Sequence, residues 1–157
     1  SSPNGSTPVN PYLRTKILTA SPHELRLMLY EGAIKFCRQA MPALEARDFD
    51  TSYHALMRAQ RIVLELSTSL NHNVAPDLCD KMNALYNYIY RLLVDANVKH
   101  ETPPVAEAIE LLEFEKETWQ MLMERLARGE DEGQTQVNHA DVTAAQQTAM
   151  NTLSRSA

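Results

Sequence analysis

Between Ser6 and Arg128 the chain carries one glycine, Gly32. Folds made of short strands need residues free to take positive φ at their tight turns, so this scarcity argues against a β-rich architecture. The interval is filled instead by apolar residues three and four apart, the period of a helix face.

Punctuation cuts it into four helices. Ser21 is an N-cap, Pro22 suits the first helical position, and Glu24 stands where a capping box needs an acid. The helix so opened runs to about Arg47, with Leu25, Met28, Leu29, Gly32, Ala33, Phe36, Ala40 and Leu44 on one face. Pro42 crowds the carbonyl of Arg38 and predicts a kink or early fraying. Asp48 caps a second helix carrying Leu56, Ala59, Val63, Leu66 and Leu70 and stopping near Asn71. Pro76 opens a third, with Leu78, Met82, Leu85, Ile89, Leu92, Leu93 and Ala96 inward. Thr102 and Pro103 open a fourth, whose Val105, Ala108, Ile109, Leu112, Trp119, Leu122 and Leu126 face in, and Gly129 closes it at C′.

Long helices joined by a few residues must be antiparallel neighbours, so the expected fold is all-α, an antiparallel up-down-up-down four-helix bundle. Residues 1–19 read as a flexible N-terminal segment, in which Tyr12–Thr19 is too short to be helical unless it lies on something. Residues 20–128 are the bundle. Residues 129–157 read as a disordered C-terminal tail, with helical potential from Val142 to Leu153 but a thin apolar face. Gly32 is the exception inside a helix. It costs roughly 0.5–1 kcal/mol against alanine, which predicts close packing of something on the backbone there.

Charge and thiols narrow the function. The formal net charge is −5. Four acids and one arginine fall in residues 129–157, leaving residues 1–128 two charges short of neutral. Such a body offers no electrostatic footprint for nucleic acid or an anionic membrane. No apolar run approaches the roughly 18 residues of a membrane span, and no signal-peptide core opens the chain. Cys37 and Cys79 lack CxxC spacing and read as buried free thiols, so the expected compartment is the cytoplasm.

Catalytic patterns are weak. The acids of the fourth helix (Glu107, Glu110, Glu113, Glu117, Glu124) have no histidine three residues on, so the di-iron pattern of helical bundles is absent and they read as a solvated face. His54-Ala55-Leu56-Met57-Arg58 looks loosely like the phosphate-accepting helix of a histidine phosphotransfer domain. Met57 stands there in place of a lysine and Arg58 in place of a glycine, which removes both the helpful charge and the access. No phosphate loop, zinc spacing or nucleophile triad is legible, and no enzyme, metal or cofactor is expected.

Apolar residues remain outside the inward stripes: Leu27, Tyr30, Ile34 and Met41 on the first helix, Tyr53, Ile62 and Leu64 on the second. The third adds Tyr86, Tyr88 and Tyr90, and the fourth Leu111, Phe114, Met121 and Met123. A bundle buries one stripe per helix, so part of this surplus is expected as an apolar groove for a partner, the alternative being a wider core or a generic interaction bundle.

The ordered set of segments resembles the flagellar secretion chaperones of the FliS family from Asn10 to Arg128. It comprises Asn10-Pro11-Tyr12, Ala20-Ser21-Pro22-His23-Glu24-Leu25, Met28-Leu29-Tyr30-Glu31-Gly32-Ala33, Ala59-Gln60, Leu85-Tyr86-Asn87-Tyr88 and Trp119. Pro42 and the tail after Gly129 depart from the pattern. The resemblance implies a cytoplasmic export chaperone that holds the C-terminal segment of flagellin in a hydrophobic groove and prevents premature polymerisation. It further implies delivery through the cytoplasmic domain of the export gate, and the empty chain has a homodimer open to it. On that reading the groove is expected at Leu25, Met28, Leu29, Ile62, Leu66, Leu70, Tyr86, Tyr88 and Arg91. Tyr12, Ile17 and Leu18 are expected as its displaceable cap.

Overall fold

A computed structural model describes residues 10–73, 75–129, 147, 149, 150, 152 and 153. Among these every regular element is helical: α1 (Pro11–Thr19), α2 (Pro22–Glu45), α3 (Phe49–Thr68), α4 (Pro76–Lys99) and α5 (Pro103–Ala127). The described residues from 147 to 153 are helical as well.

The punctuation acts as written. Ser21 Oγ accepts from the Glu24 amide at 3.2 Å, and Glu24 Oε2 accepts from the Ser21 amide at 3.2 Å, closing the capping box of α2. Asp48 caps α3 through the Thr51 amide and hydroxyl. Those bonds favour its ionised form and lower its carboxyl below the usual range. Pro76 and Pro103 stand at the first positions of α4 and α5, and Gly129 takes positive φ (72°) past the end of α5. The expectation at Pro42 needs correcting in part, because α2 continues through it to Glu45. One missing amide in the last turn breaks no more than one helical bond, and the Pro42 carbonyl still accepts from Ala46.

Helix α2 packs on α3 and α5, and α4 packs on the same two. Between them lies one contiguous apolar cluster, including Phe36, Leu56, Val63, Ile89, Leu93, Val105 and Leu112. Leu78, expected inside, is exposed because it lies in the first turn of α4, short of that cluster.

Two outlying pieces join the cluster. In α1, Ile17 is fully buried and Leu13 packs beside it, the two lying one turn apart and followed by buried Ala20. At the other end of the chain Ala149 and Leu153 are buried in the same cluster with Met150 against it. The reading of residues 129–157 as a tail apart from the helices therefore does not extend to these positions. Residues 1–9 and the rest of 130–157 lie outside the described residues.

Candidate functional site

Helix α2 carries two different seats six residues apart. The first centres on Arg26, buried one turn into the helix. Its Nη2 donates to Tyr86 Oη at 2.7 Å and to the Leu66 carbonyl at 3.4 Å, while Nη1 donates to Ser69 Oγ at 3.2 Å. The Tyr86 hydroxyl is also hydrogen-bonded to that of Tyr30. The guanidinium lies 5.6 Å from each tyrosine ring centroid and 5.2 Å from that of Trp119. Trp119 Nε1 in turn donates to the His23 carbonyl at 2.9 Å.

Electrostatics fix this hub in one protonation state. Burial pushes both phenols above their ordinary range although the Arg26 charge pulls them back, so they remain donors. Half-buried Glu115 is likewise raised by burial, with Arg26 acting in the opposite sense. Side chains of α2, α4 and α5, the Leu66 carbonyl of α3 and the Ser69 hydroxyl at its C-cap thus converge on one cation whose bonds are charge-assisted and directional.

The second seat is apolar. A Cβ built on Gly32 would lie 2.9 Å from Leu153 Cδ2 and 3.2 Å from Ile62 Cδ1. The expected close approach to this glycine exists, and the occupant is the C-terminal segment. Ala149 and Leu153, four apart, share one side of a helical turn; Leu153 enters the notch between α2 and α3, and Ala149 is buried in the same cluster.

Of the residues expected in a groove, Leu25, Met28 and Leu29 of α2 and Ile62 and Leu66 of α3 are buried, with Leu70 half-buried beside them. All belong to the cluster shared by Ile17, Ala149 and Leu153. The other three do not gather there. Tyr86 is 1% exposed, and its hydroxyl is committed to Arg26 and Tyr30. Tyr88, two residues on, projects to the other side of α4, where it donates to Glu107 of α5, and Arg91 is exposed. Two of the three cap residues need the same correction. Tyr12 and Leu18 are 74% and 46% exposed, because the helical period of α1 turns Leu13 and Ile17 inward instead.

Sequence reasoning passed over Arg26, Ala149 and Leu153. An arginine among apolar helix positions gives no sign that two phenols await it. The pair Ala149 and Leu153 had a signal, since the interior glycine at 32 asked for an occupant.

Chemistry elsewhere is sparse. His54 is exposed with Nε2 3.4 Å from Asp50 Oδ1, and that carboxylate would repel an incoming phosphoryl group. Burial pushes the Cys37 thiol up to about 12, which leaves it a packing residue at neutral pH. Among the described residues no group of histidines, cysteines and acids has metal-holding geometry, and no helix is long and apolar enough to cross a membrane.

The family described as flagellar protein FliS matches residues 5–126. A protein of Bacillus subtilis named flagellar secretion chaperone FliS is 38% identical over 117 residues, which is 74% of this chain and 86% of the relative. Proteins of the same name from Salmonella typhimurium and Campylobacter jejuni are 28% and 27% identical, each over 70% of this chain and 82% and 86% of their own length.

Proposed function

The chain belongs to the FliS family of flagellar proteins, and from that premise we propose that it is a cytoplasmic chaperone for flagellin export. Its cargo is the C-terminal segment of flagellin, held as helix and extended chain so that the apolar residues used in polymerisation are covered. No catalytic step is required. Delivery follows when the cytoplasmic domain of the export gate competes for the complex, and empty chains pair through the face that cargo would cover.

The observation that carries this reading is the apolar cluster of α2 and α3, closed in part by pieces from outside the four long helices. Leu25, Met28, Leu29, Ile62, Leu66 and Leu70 supply its floor, and Ile17 of α1 supplies a cap that one turn of unwinding removes. Helix α1 is nine residues long, too short to be stable alone, so exchanging it for a longer partner costs little. The pairing of α2 and α4 with both α3 and α5, through short connections, favours the up-down-up-down bundle that such a clamp needs. Recognition would then follow helix-in-groove physics coupled to folding of the cargo, at an ordering cost of roughly 2–5 kcal/mol.

The test is assembly. Purified chain mixed with monomeric flagellin should give a one-to-one complex by light scattering that does not seed filaments. Filament growth at the normal rate in excess chain would overturn the reading.

A further inference from the structure

Gly32 is placed where a helix loses stability to it and where a neighbour needs its missing side chain. The neighbour is Leu153, with Ile62 forming the far wall. Ala149 and Leu153 are 1% and 6% exposed, as deeply buried as the core. The described residues from 147 to 153 are helical, which sets Ala149 and Leu153 on one side of a turn.

We infer that the Gly32–Ile62 notch is a binding site for a helical turn bearing a small and a large apolar residue four apart, and that the chain fills it in cis with Ala149 and Leu153. Resting on the chaperone reading, this makes the C-terminal segment a competitor for cargo: a flagellin segment with the same pattern enters only as Leu153 leaves. Three features fit that role. The seat is continuous with the cluster that holds Leu29, Ile62 and Ile17, so occupant and cargo cannot both cover it. The contact at Gly32 is made by the far end of a flexible side chain, which leaves without moving backbone. The seventeen residues from Glu130 to Gln146 join the segment covalently to α5, so a foreign peptide competes with an intramolecular occupant.

The experiment uses the full chain and two fluorescent peptides, one from the flagellin C-terminus and one with residues 141–157 of this chain. Leu153→Asp empties the seat. Apparent affinity scales with the fraction of open seats, so this variant should bind the flagellin peptide about tenfold or more tightly than the wild type does. It should also bind the 141–157 peptide, which the wild type excludes, and the two peptides should displace each other. Leu153→Ala should give a smaller gain, and Gly32→Leu, which fills the notch from beneath, should weaken both peptides; circular dichroism verifies that each variant is folded. Equal flagellin-peptide affinity for wild type and Leu153→Asp, with no mutual displacement, overturns the inference and leaves the chaperone reading standing. A flagellin peptide that binds no form of the chain overturns the chaperone reading itself, and the competition with it.

Discussion

The Arg26 hub and the Gly32 notch lie on the same helix, less than two turns apart, and are closed by opposite means. The hub is sealed by directional bonds from Arg26 to Tyr86, Ser69 and the Leu66 carbonyl, and breaking the one to Tyr86 would leave polar atoms stranded in the interior. The notch is sealed by a methyl group lying on a glycine. Apolar contact is non-directional and pattern-tolerant, so one greasy turn can replace another there, whereas the buried Tyr86 hydroxyl is met by Arg26 and Tyr30 in fixed directions. A chaperone needs both kinds of closure: a frame that does not exchange, and a seat that does.

The sharpest way to break this comparison is Arg26→Ala. It removes the cation and leaves Tyr30 and Tyr86 facing a void, and about 3 kcal/mol of stability should be lost, read as a drop in urea midpoint. A loss no larger than that of a surface substitution would show that the hub is not the frame. Tyr86→Phe keeps the ring and deletes the charge-assisted bond from Arg26 together with the bond to Tyr30, for a loss of roughly 1.5–3 kcal/mol. On the notch side, Leu153→Ala should cost about 2 kcal/mol by the same assay, with the transition still cooperative. If Leu153→Ala destabilised the chain as much as Arg26→Ala, the two seats would be one structural unit and exchange at the notch would be ruled out.

Ser21→Ala serves as the common control. It opens the capping box of the helix that bears both seats, and about 1 kcal/mol should be lost with peptide binding unchanged. The smallest effect is electrostatic. Burial raises the Glu115 carboxyl, so the folded state prefers its protonated form. A raised carboxyl adds stability below the ordinary carboxylate range and forfeits it as pH rises through the folded value. Glu115→Gln should therefore gain stability at pH 7, by no more than about 0.5 kcal/mol, and the gain should vanish below about pH 4. In an Arg26→Ala background the gain at pH 7 should grow, because the cation that partly offsets burial is gone.

Helix boundaries were readable because they depend on chemistry within a few residues: Ser21 with Glu24, Asp48 with Thr51, prolines at first turns, Gly129 at positive φ. Apolar floor positions such as Leu25, Leu29, Ile62 and Leu66 were readable from their period. Tyr86 was readable as important and misread as to role, since a tyrosine on a helix face gives no hint of whether its hydroxyl meets water or a guanidinium. The resemblance places Tyr88 and Arg91 in the groove, but the 100° step between successive residues of α4 carries Tyr88 to α5 instead.

Local sequence, then, determined where each helix starts and stops and which side of it is apolar, because caps and periodicity act over one or two turns. It also marked Gly32 as a place where something must come close. Only the tertiary structure decided what comes close, and which polar group finds which, since Leu153 is brought to Gly32 and Tyr86 to Arg26 by the packing of helices far apart in the chain.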